Sequence, residues 1–281
     1  MAEMIPALLI SLREGLEAAL IVGIILAYLV KTGNRDKARA IWWGTALSVL
    51  LSVLAGAVIF LTAGGIEGRA EEIFEGSAML LAAGVLTYMI FWMRRQAINI
   101  RRHLQAQVRT ALESGSLLAL GLLAFVAVGR EGIETALFMF AATQATTPLA
   151  ASVGGVLGLA AAVALGFLLY QGTARLNLRA FFNVTSVLLL LFAAGLLAYG
   201  IHEFHEAGII PPLVDPLWNT GAVLDEGSLA GSFLKAVFGY NENPSLVEVL
   251  VYLGYLLIVG WAYFRPPTAR ELHAFAERAG A

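Results

Sequence analysis

Arg13-Glu14-Gly15-Leu16-Glu17 lies inside an apolar stretch that runs from Ile5 to Val30, and the pattern returns as Arg130-Glu131-Gly132-Ile133-Glu134 inside a second apolar run. A helix that crosses a bilayer needs about 20 mostly apolar residues at about 1.5 Å per residue, and both runs are long enough. Three charges in the middle of such a span are expensive. Each costs about 2.5–3.5 kcal/mol on insertion scales, so charges of this kind face the protein interior and mark a pathway. A chain that does this twice, in one five-residue form, points to a function at that place.

Composition sets the class. Of 281 residues, 59% are hydrophobic and 14% charged, with a mean hydropathy of +0.79, whereas about a quarter of an ordinary soluble domain is charged. The expectation is an all-α, polytopic membrane protein surrounded by lipid, with no nucleic-acid partner. The chain has no cysteine, which excludes disulfides, thiolate metal sites and cysteine nucleophiles. The N-terminus lacks the basic region of a signal peptide, so its apolar run is kept as a first transmembrane helix.

Seven transmembrane helices are expected, at roughly 5–30, 39–62, 75–93, 116–141, 149–171, 181–202 and 245–264, each apolar and each ended by charge, Pro or Gly. Of the 18 basic residues, fourteen then fall on one side, in the loops after the first, third and fifth spans and in the tail. Only Arg69 and Lys235 fall opposite, and Arg13 and Arg130 lie within the spans. The positive-inside rule makes the basic side cytoplasmic, with the N-terminus outside and the C-terminus inside a plasma (inner) membrane. Trp42, Trp43, Trp92 and Trp261 fall near the cytoplasmic ends, at headgroup level. The outer segment from about 203 to 244 contains Pro211, Pro212 and Pro216 and is not a span, although Leu229 to Phe238 can form a short interfacial helix.

Repetition extends beyond the charged motif. Leu80-Leu-Ala-Ala-Gly-Val-Leu-Thr-Tyr88 matches Leu191-Phe-Ala-Ala-Gly-Leu-Leu-Ala-Tyr199 at an offset of 111, close to the 117 that separates the motifs. The similar offsets imply a duplicated three-helix unit. Three is odd, so the second unit enters the membrane from the other side. The expected organisation is a first repeat over 1–110, an inverted repeat over 111–208, and an outer loop, seventh helix and tail over 209–281. Inverted repeats place the substrate site at their interface near the midplane.

On a helix, Arg13, Glu14 and Glu17 share one sector, as do Arg130, Glu131 and Glu134. Gly15 and Gly132 permit close helix approach. Together the two motifs give four carboxylates and two guanidiniums. Their net charge of −2 requires protons on some Glu or a bound cation. Oxygen ligands suit hard cations, and Arg13 and Arg130 then hold carboxylates in place from a second layer. The competing reading is that these are salt bridges that only join the helices. Glu72 and Glu75, with Glu71 beside them, form an acidic pair at the outer mouth, fit either to load a cation or merely to complement a helix dipole. His202, Glu203, His205 and Glu206 combine His and Glu at the outer end of the sixth span and offer possible metal contacts, or simply polarity at a membrane exit.

These residues resemble the oxidase-dependent iron transporter family, the fungal high-affinity iron permeases and their bacterial ferrous-iron-uptake relatives. The resemblance rests on the two R-E-G-x-E motifs, the outer Glu72-x-x-Glu75 and the His202-Glu-Phe-His-Glu-Ala-Gly208 stretch, and covers all seven spans. It implies an iron permease rather than an enzyme. Glu14, Glu17, Glu131 and Glu134 would be iron ligands, with an outer loading site and no cofactor besides transported Fe2+ or Fe3+. It also implies an extracytoplasmic partner: a multicopper ferroxidase, a cupredoxin-like protein or a haem peroxidase. The ligand types alone also fit another hard cation such as Mn2+. An intramembrane metal-dependent enzyme is the rival class, but di-iron sites add Glu-x-x-His pairs, which these spans lack.

Overall fold

The computed structural model describes residues 2–63, 67–96, 100–171 and 177–265, so Arg175 and the tail beyond Arg265 lie outside the described residues. Nine α-helices and no strand occur among the described residues: α1 (Ile5–Lys31), α2 (Ala38–Ala63), α3 (Arg69–Gln96), α4 (Ile100–Glu113), α5 (Leu117–Ala145), α6 (Pro148–Tyr170), α7 (Leu178–Glu206), α8 (Leu229–Phe238) and α9 (Leu246–Phe264). Each expected apolar span matches one helix, with no span overrunning its helix by more than one residue. The helices mostly run longer than the spans, because their ends take in polar residues that hydropathy leaves out.

Local chemistry fixes the starts. Ser116, Thr147, Asn177, Ser228 and Ser245 each accept a hydrogen bond from a backbone N–H in the first turn of α5, α6, α7, α8 and α9. Such caps contribute about 1 kcal/mol each. Pro148 follows Thr147 at the first position of α6, where its missing N–H costs nothing.

Among the described residues, Arg35–Thr62, Arg69–Met93, Pro148–Tyr170, Ala180–Glu206 and Leu246–Phe264 are long and apolar enough to cross a membrane. The helices α1 and α5, of 27 and 29 residues, match them in length but carry the charged motifs at mid-helix. Much of the outer surface is apolar, with Leu61, Leu118, Leu149 and Leu257 all more than 70% exposed. In water this would be a liability; in lipid it is the expected exterior. Trp42, Trp43 and Trp261 are exposed on that surface, whereas Trp92 turns inward and stacks on Arg130.

The inner pair of helices is α1 and α5. Helix α1 packs most extensively on α6, α2 on α5, and α3 on α7, while α1 and α5 also touch each other. One apolar cluster joins Ala7 and Ile10 of α1 to Phe138 and Ala141 of α5, together with α3 and α7. A second joins Ile21, Ile25 and Leu29 of α1 to Leu120, Ala124 and Val128 of α5. The charged motifs sit on α1 and α5 between the two clusters.

Two elements lie off this bundle. Helix α4 buries Leu104, Val108 and Ala111 in the second cluster and exposes Arg102 and Arg109, the latter paired with Glu113 at 2.8 Å. It is too polar to register as a span, so the sequence reading leaves this segment as a loop. Helix α8 occupies the expected residues. Its C-terminal Gly239, at φ +67°, presses on α7 so closely that a Cβ on Gly195 would sit 2.8 Å from Gly239 Cα. Tyr199 of α7 donates to Tyr240 O at 2.9 Å and ties this outer segment down.

Candidate metal site between the charged motifs

The i, i+4 spacing acts identically in both motifs. Arg13 Nε donates to Glu17 Oε1 at 3.1 Å, and Arg130 Nε to Glu134 Oε1 at 2.8 Å. Each Arg thus pairs with the carboxylate one turn ahead of it. The two pairs differ in surroundings. Arg13 is fully buried, whereas the Arg130 side chain is 34% exposed and lies 3.7 Å from the centroid of Trp92, within reach of a cation–π attraction.

Carboxylate oxygens of Glu14, Glu131 and Glu134 come within 4.8 Å of one another. These residues lie 117 or more positions apart between α1 and α5. Both oxygens of Glu14 and one each of Glu131 and Glu134 are buried without a protein partner. A buried acceptor left unsatisfied costs about 1–3 kcal/mol, more when charged, so this constellation favours a guest that supplies positive charge. It is the one group of three such ligands among the described residues. Glu17, expected as the fourth ligand, pairs with Arg13 and reaches the wall of the cavity described next.

The motif glycines do permit close approach, but between crossing pairs rather than between motifs. A Cβ on Gly15 would lie 2.7 Å from Ala162 Cβ of α6, and one on Gly132 would collide with Ser52 of α2. Beside them, Thr45 and Ser48 of α2 have buried hydroxyls with no partner, and Ser48 Oγ would stand 2.9 Å from a Cβ on Gly129. The sequence reading passed over this hydroxyl row. Its signal is Thr45, Ser48 and Ser52 recurring at helical spacing inside an otherwise apolar span.

A cavity of about 1260 Å³ leads away from the site. Glu17, Arg130 and Glu131 form its inner end, with Trp92, Asn183 and Ser186 along the walls, and His103 and Gln107 of α4 at its far end. Most of the remaining lining is aliphatic. His103 and Gln107 are exposed, so the cavity reaches the end of the bundle at which α4 lies.

At the opposite end, Glu71 is exposed while Glu72 and Glu75 are half-buried on α3. Here α3 crosses α7 at Gly76 and Gly200, and a Cβ on Gly76 would be 3.1 Å from Glu203 Cβ. Glu203 therefore turns toward α3, where Glu75 and Glu72 act on it electrostatically. The neighbouring histidines turn the other way. His202 Nδ1 lies 3.1 Å and His205 Nδ1 3.6 Å from Glu248 Oε1 of α9, and His202 Nε2 lies 3.5 Å from Glu206. Glu248 was missed from the sequence, although Ser245-x-x-Glu248 is the pattern of a capping box, which it forms.

A family model described as the iron permease FTR1 family matches residues 4–271. The chain is 43% identical over 263 residues to a ferrous iron permease, EfeU, of Shigella sonnei, an overlap of 93% of this chain and 95% of that one. It is 40% identical over 270 residues to a ferrous iron permease, EfeU, of Yersinia pestis, covering 95% and 96% of the two. No solved structure matches it.

Proposed function

Because the chain belongs to the iron permease FTR1 family, we propose that it carries iron across the plasma (inner) membrane into the cytoplasm through a midplane site built from the two motifs. The observation that carries this reading is the convergence of Glu14, Glu131 and Glu134, with oxygens left unsatisfied, from motifs far apart in sequence. Glu17 completes the set of four on the cavity side. The relatives' description as ferrous iron permeases favours Fe2+ as the cargo.

In this reading α1 and α5 cross the membrane with the five apolar helices, giving seven spans with the N-terminus outside. The packing supports two inverted three-helix units. Exchanging α1, α2 and α3 for α5, α6 and α7 turns the extensive α1–α6 contact into α5–α2, which is equally extensive, and maps α3–α7 onto itself. The cavity reaches the end bearing α4 and its basic residues, which the positive-inside rule makes cytoplasmic. Iron then enters past Glu71, Glu72 and Glu75, with the His202–Glu206 stretch beside them, and leaves through the cavity. A ferroxidase, cupredoxin-like or haem peroxidase partner would act at the outer mouth.

Iron uptake by cells or proteoliposomes tests this directly. Glu14→Gln and Glu131→Gln should each lower uptake at least tenfold, and wild-type rates in both would sink the proposal. Competition by Mn2+ at equal concentration separates an iron permease from a general hard-cation carrier. An enzyme site of the di-iron type would need His beside the carboxylates, and the three-ligand group contains Glu alone.

A further inference from the structure

The repeat offsets pair each wall of the cavity with a position in the other half of the chain. Glu17, Arg130 and Glu131 pair with Glu134, Arg13 and Glu14 at 117 residues. At 111 residues, Asn183 and Ser186 pair with Glu72 and Glu75, and Trp92 pairs with Glu203. Along the cavity wall and at the motif arginines, matched positions of the two halves differ in exposure. Leu122 and Val126 of the cavity are 55% and 61% exposed, whereas their counterparts Ile5 and Leu9 are half-buried. The Arg130 side chain is 34% exposed and its counterpart Arg13 is fully buried.

The closed half carries unsatisfied polar atoms. Nη1 and Nη2 of Arg13 and both oxygens of Glu14 are buried without partners, a standing cost of about 1–3 kcal/mol per group. That cost is avoided if these groups lie open to water for part of a cycle. Two like units with two alternative packings are a common basis of bistability, and in transporters they rock about a fixed central site.

We propose that Glu203 belongs to the ion path: with Glu72 and Glu75 it lines an outward-facing cavity that forms when the two halves exchange packings, and Arg13, Glu14 and Glu134 then line that cavity as Arg130, Glu131 and Glu17 line this one. This rests on the permease reading above. The α3–α7 crossing already brings Glu203 against α3, since a Cβ on Gly76 would be 3.0 Å from Gly200 O and 3.1 Å from Glu203 Cβ, and Glu75 and Glu72 act on it electrostatically. The chemistry of the two cavities then differs at matched positions. Outside, Glu72, Glu75 and Glu203 draw in a cation; inside, Asn183, Ser186 and Trp92 offer no charge to retain it. Because a field of one sign concentrates counter-ions, loading is favoured on the outer side and release on the inner.

The chain has no cysteine, so single-cysteine variants report without background. Val126→Cys and its counterpart Leu9→Cys are labelled with a membrane-impermeant maleimide on right-side-out and inside-out vesicles, with and without Fe2+. Val126→Cys should react only from the cytoplasmic face and Leu9→Cys only from the outer face, and whatever speeds one should slow the other. Absence of outer labelling at Leu9→Cys in every condition, or parallel changes at both positions, overturns the exchange. Glu203→Gln should lower iron uptake at least tenfold at limiting Fe2+ while Val126→Cys in the same chain still labels, which shows it folded, and Glu203→Asp should recover most of the rate. Wild-type uptake by Glu203→Gln overturns the role of that residue. The permease reading fails separately, through Glu14→Gln, and the labelling pattern does not depend on that result.

Discussion

Replacing Arg13 by Gln tests how charge is held inside the bundle. The Arg13 guanidinium is fully buried, its Nε donates to Glu17 at 3.1 Å, and Glu17 is itself only 5% exposed. Removing the cation strands an ionised carboxylate in a region of low dielectric, and loss of one partner from a buried pair costs about 3–5 kcal/mol. The equivalent pair, Arg130 with Glu134 at 2.8 Å, has its Arg 34% exposed and stacked on Trp92. Water screens the pair in part, so Arg130→Gln should cost about 1–2 kcal/mol, the pair and the ring contact together. The remaining difference of about 1–4 kcal/mol between chemically identical changes follows from burial. Denaturation of the detergent-solubilised protein measures it, and the double variant Arg13→Gln/Glu17→Gln, which removes both charges, should recover most of the loss. Equal losses for the two single variants would refute the reasoning. So would a double variant no better than Arg13→Gln, since Arg13 would then matter for its volume.

The helix crossings give a paired prediction. Gly15→Ala places a Cβ 2.7 Å from Ala162 Cβ and should destabilise by about 1–3 kcal/mol, whereas Gly84→Ala meets nothing within 4 Å and should be neutral or stabilising by about 0.5–1 kcal/mol; thermal melts of the two variants check both signs. Saturating Fe2+ should raise the melting temperature of the wild type, with about 2.7 kcal/mol gained at a hundredfold excess over the dissociation constant, and Glu131→Gln should reduce that gain. Trp92→Leu removes the ring under Arg130 and should cost about 0.5–2 kcal/mol, visible as a lower melting temperature that Trp92→Phe partly restores.

The charged motifs were the most legible part of the sequence, because a charge in an apolar span has few structural explanations. Their spacing also fixed the Arg13–Glu17 and Arg130–Glu134 pairs, which depend only on helical geometry. The outer helix Leu229–Phe238 was readable for the same reason: its signals are local. What the sequence hid was long-range. Trp92 has the composition of an interfacial anchor and became a lid on Arg130 only through the placement of α3 beside α5. Glu248 looks like an ordinary first-turn acid, and its histidine partners are 46 and 43 positions away on α7. Helix α4 was lost because hydropathy registers the average of a segment, and an amphipathic helix averages to a loop.

The division of the four carboxylates bears on which ion fits the site. Arg13 and Glu17 form a pair that is neutral by itself. That leaves Glu14, Glu131 and Glu134 as the converging carboxylates, with Arg130 bonded to Glu134. Fully ionised, three carboxylates and one guanidinium carry a net −2. A divalent cation would neutralise this layer, whereas a trivalent one would leave a buried net charge of +1, which low-dielectric surroundings disfavour strongly. Mn2+ shares the charge of Fe2+, so neutrality selects valence and not the element, and discrimination between the two must come from ligand geometry or from what delivers the ion to the outer mouth. The second Arg is therefore not redundant. By pairing with Glu134 it trims the ligand charge from −3 to −2, and Arg130→Met should weaken the preference for Fe2+ over trivalent ions in a competition assay, where an unchanged preference would show that charge balance does not set it.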